Sequence, residues 1–186
     1  MAIAVAWPIT DNPRMGKRRY QAIMGMPVGA VGVLCAGGQL VRIDYLPHQP
    51  DVSTDDPTAI AVVEQLRGWL EDPFFRFDLP LALAGTAFQQ RVWQAIVAVP
   101  CGSTRTYGDL AQALHSAPRA VGQACGANPY PIVVPCHRIV ARSKTFNGGI
   151  GGFSNATDGY LLDIKRWLLA REAEASSMSA RVRRRA

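Results

Sequence analysis

The chain has 186 residues, 48% of them hydrophobic, enough for one sizeable domain or two small ones with a real core. No run of roughly eighteen apolar residues exists, so no membrane span is expected. The four cysteines form neither a CxxC pair nor a common zinc spacing, which points to a reducing, cytoplasmic setting without a metal.

The net charge of +6 is unevenly spread: residues 1–20 and 173–186 each carry +3, residues 21–84 carry −5 and residues 85–172 carry +5. Only the second half is expected to face a polyanion. The opening MAIAVAWPIT is apolar but lacks the basic leader and cleavage site of a signal peptide. Residues 1–25 read as irregular, with RMGKRRY (14–20) a solvated arm.

VGAVGVLCAGGQLVRIDYLP contains two β-rich runs around Gly37-Gly38, a hairpin signal. TAIAVVEQLRGWLED places Ala59, Val62, Val63, Leu66 and Leu70 on one helical face, with Thr58 as N-cap. FFRFDLPLAL (74–83) reads as a further strand, which Pro80 confines to an edge or an end. At Gly85 the texture changes. Thr86 and Gln89 form a capping box, followed by an apolar stripe at Phe88, Val92, Ile96 and Val97 that Pro100 and Gly102 end. Thr106 and Asp109 form a second box. Ser116 and Pro118 open a third helix, so a helix-turn-helix is expected. Its second helix is built of small residues, Ala120, Gly122, Ala124 and Gly126, which permit close approach to a neighbouring helix or a nucleic-acid groove. SKTFNGGIGGFSNATDG is a loop. A closing helix capped by Asp158 carries Leu161, Ile164, Trp167 and Leu168. Residues 173–186 read as a disordered basic tail.

Within IVVPCHRIV (132–140) a thiol and an imidazole sit side by side. A buried cysteine usually serves as a small hydrophobe. Pro135, however, holds Val134 extended and fixes the approach to Cys136. Apolar packing raises a thiol's pKa, while nucleophilic attack needs thiolate. A reactive Cys136 therefore needs a base, and the base an orienting partner. Strand neighbours point to opposite faces, so contact between Cys136 and His137 requires a turn or an intervening water.

NPYPIVVPCHRIV, preceded by GTAFQQRVWQAIVAVPCGSTRTYGDLA and RAVGQACGANP, resembles the O6-alkylguanine-DNA alkyltransferases, the methylated-DNA–protein-cysteine methyltransferases. The resemblance is close over Gly85 to Ala141, resumes at IKRWLLARE, and is looser in PVGAVGVLCAGGQLVRIDY. It implies an α/β (α+β) fold: a small N-terminal β-sheet and helix domain of ribonuclease-H-like type over 21–84, then a helical domain with a winged helix-turn-helix over 85–172.

The resemblance also implies an activity. Cys136 would accept the alkyl group of O6-alkylguanine, or of O4-alkylthymine, in one irreversible event without a cofactor. His137 would act through water as its base, and Glu172 would orient His137. Tyr107 would assist nucleotide extrusion and donate toward the guanine. Asn128 would hold the turn between recognition helix and active-site strand. Arg119 would enter the base stack, with Thr106, Ala120, Gly122 and Gln123 beside it in the DNA contact. Val134, Pro135 and Phe153 would shape the pocket, Ile150 and Ser154 being the other candidates for its wall. The implied partner is double-stranded DNA, bound by a monomer through the minor groove. Taken singly, each residue has a plainer explanation: a phosphate contact for Arg119, core packing for Tyr107, a turn for Asn128, a solvated helix face for Glu172. Their joint order carries the reading. Two other classes share parts of it: damage-flagging relatives that lack the cysteine, and cysteine hydrolases that turn over.

Overall fold

The computed structural model describes residues 20–142, 150–154 and 159–183; the arm before Tyr20, much of the 143–158 loop and the Asp158 cap lie outside them. Three antiparallel strands, β1 (Ala22–Gly25), β2 (Ala30–Ala36) and β3 (Gln39–Leu46), form a sheet in that order. The expected hairpin is present: Ala36 pairs with Gln39, and Gly37 and Gly38 both take positive φ, as a two-residue turn between twisted strands requires. β1 corrects the irregular reading of residues 1–25. Tyr20 belongs to the body as well, since its ring covers Gly32 so closely that a Cβ there would lie 2.6 Å away.

Helix α1 (Pro57–Glu71) packs Ala59, Val62, Leu66 and Trp69 inward. Its N-cap is Asp56, whose side chain accepts from Ala59 N, not Thr58. A carboxylate caps well, and Pro57 suits the first helical position, where no amide is needed. The strand expected over 74–83 reduces to a single bridge between Leu81 and Leu40, bounded by Leu40 N to Pro80 O (2.8 Å) and Ala82 N to Leu40 O (2.9 Å). Pro80 has no amide with which to extend a ladder.

The second half holds α2 (Ala87–Val97), the short β4 (Arg105–Thr106), α3 (Tyr107–Ala113) and α4 (Pro118–Gly126). A 3-10 turn (Cys136–Arg138), β5 (Ile139–Val140) and α5 (Tyr160–Arg183) follow. Both capping boxes form, Thr86 with Gln89 and Thr106 with Asp109. The α2 stripe differs by one position: Trp93 is buried, while Val97 is 55% exposed. Trp93 Nε1 donates to Ala124 O at 2.8 Å, tying α2 to α4, and this bond decides which way the face turns. The N-cap of α4 is Ala117, without a side-chain bond, rather than Ser116; Ser116 N instead closes the end of α3 on Ala111 O.

The largest correction concerns the tail. Residues 173–183 continue α5 as helix. EAEASSMSARVR has no glycine or proline and is rich in good helix formers. Ser176 also packs on Gly102, where a Cβ would meet it at 2.5 Å. The buried apolar residues run continuously from the sheet through α1, α2, α4 and α5.

Candidate active site

Cys136 and His137 occupy a 3-10 turn rather than the strand the sequence implied. Cys136 N donates to Val134 O at 2.8 Å and Arg138 N to Pro135 O at 3.0 Å. Consecutive side chains thus fan around a tight turn, and the opposed faces of a strand do not apply. Cys136 is 4% exposed and His137 fully buried. Asn128 lies against this turn. Its Nδ2 donates to Val134 O (2.8 Å) and to Cys136 Sγ (3.3 Å), while its Oδ1 accepts from Tyr130 N (3.0 Å).

His137 Nε2 lies 2.8 Å from Glu172 Oε1, across from α5. Nδ1 is buried and has no hydrogen-bond partner. A neutral imidazole that donates from Nε2 to the carboxylate presents an acceptor at Nδ1. Burial lowers the imidazole pKa, and the bond to Glu172 only partly offsets this, so His137 rests neutral. Burial also raises the Cys136 thiol, although the Asn128 bond and the charge of Lys165 pull it back. The pair therefore rests as thiol and imidazole.

Two participants were not legible as such in the sequence. Arg138 donates to Glu172 through Nε (2.9 Å to Oε2) and Nη2 (2.9 Å to Oε1), and to Val99 O through Nη1 (2.6 Å). Gly102 N adds a bond to Glu172 Oε2 at 3.2 Å. Burial opposes ionisation of Glu172. The His137 bond and the Arg138 guanidinium outweigh it and hold the carboxyl at about 2. The second is Lys165, fully buried, whose Nζ donates to Ile139 O (2.7 Å), Ile150 O (2.9 Å) and Gly152 O (3.0 Å). It fastens the 150–152 segment to β5, and burial lowers its pKa to about 8. One signal was available: Lys165 and Glu172 stand seven apart, two turns along one face of α5.

A cavity of about 410 Å3 opens over Cys136, lined by Tyr107, Arg119, Gly122, Cys125, Phe153 and Ser154 among others. This is within the usual size of small-molecule sites. Tyr107 OH donates to Gly152 O at 3.1 Å, and burial lifts its pKa well above the ordinary phenol value, so it remains a donor. Gly151, at φ 72°, passes so close that a Cβ would lie 3.1 Å from the Tyr107 ring. Of the three wall candidates, Phe153 and Ser154 line the cavity; Ile150 supplies a carbonyl to Lys165 instead. Val134 and Pro135 are buried beside Cys136 but do not line it; Val134 borders a groove with Trp93 and Tyr130. Arg119 is exposed at the rim. Ala120, Gly122 and Gln123 lie on α4. Thr106 caps α3 through its hydroxyl.

A pH dependence follows from Glu172. Its folded pKa lies below the unfolded value of 4.5, so the unfolded chain binds more protons in this window. Its stabilising contribution is complete above about pH 5 and is lost as pH falls toward 2. Urea midpoints measured from pH 7 down to pH 2 are expected to drop across that window, and a Glu172→Gln chain should lack this part of the drop.

The family model for the DNA-binding domain of 6-O-methylguanine DNA methyltransferase matches residues 87–174, the segment that carries the groups described above. A methylated-DNA–protein-cysteine methyltransferase of Mycobacterium tuberculosis is 38% identical over 135 residues, covering 69% of this chain and 82% of the relative. One of Haemophilus influenzae is 35% identical over 162 residues, covering 82% and 86%. Among solved structures, Mycobacterium tuberculosis OGT in complex with DNA superposes with a TM-score of 0.66 at 34% identity, covering 82% of this chain and 92% of that one. The mixed α/β architecture is thus that of the OGT structures. The chain belongs to the methylated-DNA–protein-cysteine methyltransferase family.

Proposed function

We propose that this chain repairs duplex DNA by direct reversal, moving the alkyl group of O6-alkylguanine onto Cys136 in one irreversible event. The observation that carries this reading is a buried thiol beside a buried, carboxylate-held imidazole under a cavity of about 410 Å3. A base within a duplex keeps its O6 out of a thiol's reach, so the nucleotide is flipped out at a cost of roughly a few kcal/mol. Arg119 fills the vacated stack. The small residues Ala120 and Gly122 let α4 approach the minor groove, with Thr106 and Gln123 alongside; a groove with a degenerate code suits repair that ignores sequence.

The thiol proton passes through a water to His137 Nδ1, and Glu172 stabilises the imidazolium that forms. The Cys136 Sγ–carbon bond forms as the carbon–O6 bond breaks. The guanine leaves with the electron pair and recovers a proton, Tyr107 donating toward it as charge develops. Val134 and Pro135 hold the turn that aims Sγ, and Phe153 walls the cavity. The thioether has no good leaving group, so each chain acts once. O4-alkylthymine offers the same chemistry as a second substrate.

Residues 21–84 serve as a scaffold of ribonuclease-H-like type and 85–172 as the acceptor domain with a winged helix-turn-helix, acting as a monomer. Four free cysteines suit a reducing cytoplasm. The decisive experiment is intact-protein mass after incubation with duplex DNA containing O6-methylguanine, followed by peptide mapping. One methyl per chain, confined to Cys136, is expected; tight binding without a mass gain would make the chain a damage-flagging protein, and turnover would make it a hydrolase.

Arg119 gives a separate test. Arg119→Ala should slow repair in duplex DNA roughly tenfold more than reaction with free O6-benzylguanine, since a lost stacking contact is worth about 1–3 kcal/mol. Equal losses on both substrates would remove its role in the stack.

A further inference from the structure

Among the described residues three buried side-chain polar atoms lack a hydrogen-bond partner: Tyr45 Oη, His137 Nδ1 and Arg171 Nε. The last belongs to a guanidinium stacked over Trp167 at 5.9 Å. Of the other two, His137 Nδ1 belongs to the residue next to Cys136, and Tyr45 packs on Phe153, which lines the cavity over Cys136. β3 is joined to the Asn128-Pro129 turn by Ile43 N, which donates to Pro129 O at 2.8 Å, and Asn128 in turn bonds Cys136 Sγ. Tyr45 stands two residues on, on the same strand face, 7% exposed. Its ring meets Phe153 at a centroid distance of 5.2 Å. It also borders a second cavity of about 180 Å3 with Asn128, Ser154 and Gly126, of which Ser154 and Gly126 line the main cavity too.

A buried polar group without a partner calls for an explanation, and buried waters typically make about three hydrogen bonds to such groups. We infer that Tyr45 is a positioning residue for the alkyl acceptor: its hydroxyl and His137 Nδ1 together hold the water that takes the proton from Cys136. This rests on the acceptor reading above and brings the N-terminal sheet into the reactive centre. Burial raises the Tyr45 phenol well above its ordinary pKa, and any negative charge on Cys136 or Glu172 raises it further. It therefore stays a donor and favours the thiolate.

The titratable and charged groups around the thiol are His137 and Arg138 on its own turn, Lys165 and Glu172 from α5, Cys125 from α4, Tyr107 from α3 and Tyr45 from β3. Only the last is altered in the test. Tyr45→Phe keeps the ring on Phe153 and removes one oxygen. In the full chain, alkylation of Cys136 by iodoacetamide is followed by peptide mapping across pH, with the melting temperature and the rate of methyl transfer from O6-methylguanine duplex DNA. The expected result is an inflection raised by about one pH unit, hence about tenfold slower alkylation near pH 7, with no loss of melting temperature. An unmoved inflection overturns the inference, whether or not the melting temperature falls. Iodoacetamide needs no DNA. A shifted inflection in a protein that takes no methyl would therefore refute the repair reading alone. An unshifted one in a protein that takes a methyl would refute only the role of Tyr45.

Discussion

Cys136→Ser is expected to abolish alkyl transfer while leaving DNA binding unchanged. Cys136 lines the cavity, and the buried imidazole of His137 follows it in the chain. Serine keeps the size of the side chain and can still accept from Asn128 Nδ2, now 3.3 Å from the sulfur, so the turn should hold. A hydroxyl is a weak nucleophile at its free pKa and requires a stronger push than thiol does. In the proposed mechanism the base is a neutral imidazole acting through water, a weak push for a hydroxyl. Mass spectrometry should therefore show no gain with O6-methylguanine duplex, and a gel shift should show binding like that of the wild type. Methylation that persists and maps to Cys125, which lines the same cavity, would move the acceptor to that residue.

Glu172→Gln should give the largest combined loss. Four donor atoms converge on the two carboxylate oxygens: His137 Nε2, Arg138 Nε and Nη2, and Gly102 N. Glutamine keeps the shape but offers one oxygen and an NH2 that must face donors. The Arg138 side chain, 11% exposed, would then be a largely buried charge without its counter-ion. Removing one partner of such a pair costs about 3–5 kcal/mol, equivalent to a fall in melting temperature of about 6–20 °C for a chain of this size. Transfer should slow roughly 10–100-fold, because the imidazole loses the group that fixes its tautomer. Thermal unfolding and single-turnover rates measure the two effects separately. Unchanged stability would mean that the carboxylate is not shared between His137 and Arg138.

The second half of the chain was largely legible from residue order alone. Capping boxes at Thr86 and Thr106 signal helix starts by local hydrogen bonding, which needs no tertiary context. The Gly37-Gly38 hairpin is equally local, since two adjacent positive φ angles favour glycine. Errors gathered where local signals compete. Thr58 and Ser116 are good capping residues, but Asp56 before Pro57, and the closing bond of α3, took the ends. The α5 tail looked disordered from its charge, yet its helix propensity and the contact of Ser176 with Gly102 continue the helix.

What the sequence by itself determined was the chemistry available: a thiol and an imidazole in adjacent positions, a carboxylate on a distant helix, an arginine and small residues on α4. Each depends only on residue type and spacing. What the tertiary structure alone decided was how these groups are charged and aimed. Arg138 and His137 share one carboxylate because a 3-10 turn packs against α5. Lys165 is buried because three carbonyls of the 139–152 segment surround its ammonium. Tyr45 reaches the centre because β3 is bonded to the Asn128-Pro129 turn. Burial and long-range pairing set these pKa values and orientations, and both arise from contacts between residues far apart in the chain, which no local pattern encodes.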